Sequence, residues 1–126
     1  MTITGLKTII ITGTYVNILS GAGETGYVEF LPNIPSVEDQ TDSIVATMPP
    51  IVVGLPGTFG SNNQGGNGHF SQVVPCTDNT ELFPAGFTYT VIEKISNLTR
   101  VTKGVLIPST LGSTADITKI LAPYLS

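Results

Sequence analysis

Alternation of apolar and polar residues is the strongest signal along this chain. Residues 69–75 (HFSQVVP) and 87–95 (FTYTVIEKI) both read as strands. In the second, Phe87, Tyr89 and Val91 fall on one face and Thr88, Thr90 and Ile92 on the other. A period of two, carried by aromatic and β-branched residues, marks a strand half-buried in a sheet. The first strand is entered through Asn67-Gly68, a pair suited to tight turns with positive φ.

The same period recurs elsewhere. Residues 6–16 predict a long first strand with Ile9, Ile11 and Tyr15 on one face and Thr8, Ile10, Thr12 and Thr14 on the other. Gly13 within it marks a bulge or a close backbone approach. Residues 26–31 predict a second strand, Val28 and Phe30 opposing Tyr27 and Glu29, and the two strands read as a hairpin with a long loop. A polar crossing over 32–42 leads to a third strand at 43–48, which Pro49 and Pro50 end because proline cannot donate to a ladder. A short fourth strand at 51–55 precedes a polar loop, FGSNNQGGNG at 59–68, the expected mobile tip of the fold. A turn at 97–100 precedes a seventh strand at 101–107. Ser113 and Asp116 give a capping signal for one helical turn over 116–121, stopped by Pro123. About seven short strands, with turn signals every 8–12 residues or so, predict an all-β, antiparallel Greek-key β-sandwich. It is expected to be Ig-like or transthyretin-like, as a single domain over residues 1–126.

Composition changes the picture in one respect. Charged residues make up 11% of the chain, against about 25% in typical soluble domains. Isolated sheets guard their edges with charge, so a sparsely charged one is at home where its faces meet other chains. The net charge of -4 argues against a nucleic-acid partner. The start has no basic region before its apolar residues, so no secretory signal is expected. Residues 43–77 are uncharged, yet Pro49, Pro50 and Pro56 interrupt them, and no membrane span is expected. The single cysteine, Cys76, excludes an internal disulfide and leaves its own redox state open.

Candidate chemistry is thin. The GAGETG run at 21–26 matches a dinucleotide fingerprint in letters, but the strand formers Tyr27, Val28 and Phe30 follow where a helix is needed. His69 and Cys76 lie about 20 Å apart if 69–75 is a straight strand, too far for a nucleophile and its base. Glu38, Asp39 and Asp42 lack calcium-loop spacing and read as a solvated loop. Glu29 and Glu93 are placed on outer faces, and Asp78-Asn79 reads as an Asx turn. Asn97-Leu98-Thr99 fits a glycosylation sequon, which matters only in a eukaryotic secretory route. No catalytic, cofactor-binding or metal-binding residue is expected.

Three segments together resemble a known pattern. They are Ile11-Thr12-Gly13-Thr14-Tyr15 followed by residues 26–32 (GYVEFLP); Gly68-His69-Phe70-Ser71 through residues 74–78 (VPCTD); and residues 84–93 (PAGFTYTVIE). The closing residues 120–123 (ILAP) resemble the short turn that ends the same pattern. This resembles the small β-sandwich virion proteins of actinobacterial tailed bacteriophages, the head-decoration and minor tail protein family. Phe87 stands where that pattern often has Trp, and Gln72 where it has an apolar residue between Phe70 and Val74. The resemblance implies a structural protein and no enzyme: a capsid decoration (cementing) protein on the outer capsid surface, or alternatively a minor tail protein or tail-associated host- or carbohydrate-binding module. Its partners would be the major capsid protein or tail proteins and copies of itself in a symmetric homo-oligomer. It would be made in the host cytoplasm and reside in the virion. The expected contact residues are Phe59, Asn62 and Asn63 at the loop tip, and Tyr124 and Leu125 beyond Pro123.

Overall fold

The computed structural model describes residues 3, 5–55, 68–96 and 98–125. Within them the fold is the expected all-β sandwich, built from nine strands and one short α-helix. One sheet has the order β6-β1-β9 and comprises β6 (His69–Pro75), β1 (Thr8–Thr14) and β9 (Thr114–Asp116). The other has the order β5-β2-β7-β8 and comprises β5 (Ile51–Gly54), β2 (Gly26–Pro32), β7 (Tyr89–Ile95) and β8 (Leu98–Val105). A separate hairpin joins β3 (Ser36–Asp39) to β4 (Ile44–Thr47).

The period-two pattern decides which side of each strand faces in. Ile9 and Ile11 on β1, Val28 and Phe30 on β2, and Tyr89, Val91 and Ile95 on β7 are all buried in one core with Phe70 and Val74 of β6. Gln72 keeps this register: it is half-buried between Phe70 and Val74, and its amide donates to the Val73 carbonyl at 3.0 Å. Gly13 is a close approach rather than a bulge. A Cβ there would fall 2.4 Å from Phe70 Cε1 and 2.9 Å from Ile117 Cγ2.

Several expectations are corrected. The strands β1 and β2 do not form a hairpin; they lie in different sheets, β1 against β6 and β2 against β5 and β7. Only the connection between them is hairpin-like, with Val16 bridging Gly23. Sequence adjacency pointed to a hairpin, but each strand buries its apolar face by pairing within its own layer. The polar crossing contains β3, whose one buried apolar residue, Val37, was too weak a signal. The second strand of the 69–95 region begins at Tyr89, after Gly86 at φ +77°, although Phe87 is buried. Strand β8 starts at Leu98, because a tight turn at Ser96 replaces the expected 97–100 turn. An unexpected strand, β9, runs parallel to β1 with Ile11 opposite Ala115. The helix α1 (Ile117–Leu121) is capped by Asp116, whose carboxylate accepts from the Thr118 N–H at 3.0 Å, and not by Ser113.

The cap on the other end of the sandwich is Asn79, which is buried. Its Oδ1 accepts from the Lys7 N–H at 2.7 Å, while its amide donates to the carbonyls of Lys7 at 2.9 Å and Cys76 at 2.8 Å. One side chain thus does the work of a ladder rung, tying the segment before β1 to the chain leaving β6. The Asn79→Ala variant strands the Lys7 N–H and leaves the Lys7 carbonyl only its bond from the Cys76 N–H at 3.0 Å, and is expected to lose about 2 kcal/mol in urea denaturation. Asn79→Asp, which keeps the acceptor and loses both donated bonds, should fall between; a loss below about 0.5 kcal/mol would refute the clamp.

Candidate functional site

A buried ion pair lies at the end of the sandwich where β7 turns into β8. Glu93 faces inward because it is the cross-strand partner of buried Val28, so its expected outer placement is wrong. The alternation of Phe87, Tyr89 and Val91, continued strictly, puts Glu93 on the core face as well. Glu29 pairs with Ile92 and therefore points the opposite way, so the two carboxylates do not converge.

Glu93 is 1% exposed and is answered by three donors on two residues. Arg100, its partner across β7 and β8, donates Nε to Oε1 at 2.6 Å and Nη2 to Oε2 at 3.1 Å. The Tyr15 hydroxyl donates to Oε2 at 2.5 Å. A side-on bidentate pair is the strong geometry for arginine and carboxylate. The bond to Glu93 raises the Arg100 pKa, locking in its charge. Burial first, and then donation to the Glu93 carboxylate, push Tyr15 far above the ordinary tyrosine range.

This triad forms the polar floor of a cleft of about 420 Å³ whose walls include Thr14, Ile117, Leu121 and Leu125. The volume is within the range of small-molecule sites. Every polar atom of Glu93 is already engaged within the protein, so the cleft offers a ligand chiefly apolar wall. Leu125 lines this cleft and Tyr124 does not; the Tyr124 hydroxyl instead accepts from the Leu106 N–H at 2.9 Å. Phe59, Asn62 and Asn63 lie outside the described residues, as does Asn97 of the sequon.

The remaining candidates separate cleanly. His69 bonds through Nδ1 to the Thr14 hydroxyl at 2.9 Å, while buried Cys76 lies beyond the far end of β6. Among the described residues no three His, Cys, Asp or Glu side chains are grouped as a metal site would need. No described helix is long and apolar enough to cross a membrane. Asp78 is not a self-contained Asx turn: both its oxygens accept from the Ser109 N–H at 3.0 Å, and Oδ2 also accepts from the Ser109 hydroxyl at 2.9 Å. Burial pushes its carboxyl up, but those bonds outweigh the effect and hold it below the usual range.

Three groups resist ionisation. Burial raises the Cys76 thiol, with the Asp78 carboxylate adding to it, and burial likewise raises Tyr89, whose hydroxyl donates to the Pro75 carbonyl at 2.8 Å. Tyr15 behaves the same way. A raised folded-state pKa gives stability that is complete below the unfolded value and is lost as pH rises toward the folded one. The protein should therefore weaken above about pH 8.5–10, the ordinary thiol and phenol range. Absorbance at 295 nm should show Tyr15 and Tyr89 ionising only together with loss of structure, and Cys76 should resist alkylation until then. Phenolate formation by both in a still-folded chain would contradict this.

The outer faces of the two sheets differ. On β6-β1, threonines and Ser71 surround a single apolar pair, Ile10 opposite Val73. On β5-β2-β7-β8, one cross-strand row reads Val52, Glu29, Ile92, Val101, with Leu31 beside it. Val52 is 53% exposed and Val101 51%, so the row is presented to solvent. Sequence reading missed this face because alternation alone says which residues face out, not which strands stand side by side. At the end of the sandwich, Ile18 and Leu19 are 95% and 93% exposed on the arm between β1 and β2. Comparison of the chain with protein-family models, with curated proteins and with solved structures gave no match.

Proposed function

We propose that the chain is a structural protein of a bacteriophage particle, a decoration protein seated on the outer capsid surface. The sequence resemblance suggests the particle, and the observation that carries the mechanism is the apolar row Val52, Ile92, Val101 on the outer face of the four-stranded sheet. A solvent-exposed sheet face of this kind fits a broad, shallow contact better than a substrate. Glu29 is the only charge in the row, and Lys94 and Lys103 flank it on the same face, two residues beyond Ile92 and Val101. Many symmetric copies turn weak individual contacts into durable ones, which is how a cementing protein acts without chemistry.

Electron cryomicroscopy of the particle that carries this chain tests the reading. The expected result is density for the sandwich at every equivalent position of the outer shell, with Val101 facing the shell. Val101→Asp should leave the isolated chain folded and strip it from the particle. Copies confined to the tail, or their absence from the particle, would overturn the assignment.

A further inference from the structure

We infer that copies of this chain join head to tail, the Ile18–Leu19 knob of one seated in the apolar pocket beside Tyr124 of the next. The inference rests on the reading above that copies assemble, and not on which surface they cover.

The knob is built to be held out. Val16 bridges Gly23, the Asn17 N–H donates to the Ala22 carbonyl at 2.8 Å, and Asn17 Oδ1 accepts from the N–H groups of Leu19 at 2.9 Å and Ser20 at 3.1 Å. The turn is thus satisfied by its own polar groups while two branched aliphatic side chains face water almost completely. Residues 13–23 carry no charge. Scattered exposed apolar residues are ordinary, but two adjacent ones at near-full exposure on an ordered turn mark a contact.

The pocket lies between the chain that leaves β8 and the C-terminal segment carrying Ile120 and Tyr124. Gly26 opposite Ile95 and Ile95 opposite Leu98 define the end that bears the arm. Pro32 opposite Tyr89 and Tyr89 opposite Val105 define the far end, about 20 Å away along seven-residue strands. Next to Val105, a depression of about 270 Å³ is lined by Leu106, Pro108, Leu111, Ile120 and Tyr124, with Lys119 as its only charge. A cavity of about 150 Å³ accepts a benzene-sized group, so this one takes two aliphatic side chains. Glu24 at the base of the arm supplies the charge opposite to Lys119. Size, apolarity and charge therefore match between two parts of one chain, and the near-full exposure of Ile18 and Leu19 shows that they do not fill the pocket of their own chain. That is the condition for a heterologous contact, which closes into a ring or extends as a chain of copies. The net charge of -4 and an arm without cations disfavour an anionic lipid surface as the occupant.

Sedimentation equilibrium of the purified full chain provides the test. The wild type should self-associate with rising concentration, between about 10 μM and 1 mM. Leu19→Asp and Leu106→Asp alter exposed side chains and should each remain folded by circular dichroism. Each alone should weaken association about 100-fold or more. A one-to-one mixture of the two should form a dimer and stop there, because one good knob meets one good pocket. A wild type that stays monomeric throughout, with or without lipid vesicles, would overturn the inference and leave the capsid reading standing. So would a closed two-fold dimer lost with Leu19→Asp but untouched by Leu106→Asp.

Discussion

Arg100→Met is expected to cost about 3 kcal/mol at neutral pH. Removing one partner of a buried ion pair typically costs 3–5 kcal/mol, since the remaining charge is left in a poorly solvated site. The low end applies because Glu93 is 1% exposed while the Arg100 side chain is 39% exposed, so water can enter where the guanidinium stood. Denaturant midpoints of wild type and variant at pH 7 measure this difference. A deficit under about 1 kcal/mol would mean that the pair is an ordinary surface bridge. The double variant Glu93→Gln, Arg100→Met should regain part of the loss, because the buried charge is gone and the Tyr15 hydroxyl keeps an acceptor.

Phe70→Ala should be the most damaging single truncation, at about 3–5 kcal/mol. Phe70 has no exposed surface, stacks on Tyr15 with ring centroids 6.4 Å apart, and fills the space left by Gly13. It therefore couples the sandwich core to the triad and to the arm that follows Tyr15. Gly13→Ala tests the same contact from the other side. Its new methyl would stand 2.4 Å from the ring, an overpacking worth about 1–3 kcal/mol. Combined with Phe70→Leu, which removes the clashing ring edge, Gly13→Ala should cost less than it does alone. Additive losses, measured by chemical denaturation, would show that the two residues do not share one space.

These two sites illustrate different degrees of legibility. The inward roles of Ile9, Ile11, Phe30 and Val91 were plain from alternation, because burial on one side of a strand imposes a period of two. Gly13 was flagged as a close approach or a bulge, and the Phe70 ring decided which. Glu93 followed the same inward parity as Val91, yet its charge argued for solvent. What permitted its burial was a cation on the next strand and a tyrosine far away in the chain, neither visible as a local pattern.

The amino-acid sequence by itself determined the class: short alternating runs, Pro and Gly breaks and sparse charge leave little choice but a sandwich with exposed, uncharged surface. Strand partners were decided only in three dimensions. A strand's own residues set which way each side chain points, whereas its neighbours depend on which layer buries the most apolar surface. Hence β1 and β2, adjacent in the chain, separate into different sheets, and β9 returns from residue 114 to lie parallel with β1. The same step assembled the apolar row across four strands, joined Glu93 to Tyr15 over 78 residues, and left the Ile18–Leu19 knob exposed and apart from the pocket beside Tyr124. Each of these is a relation between distant segments, and no window of local sequence contains both halves.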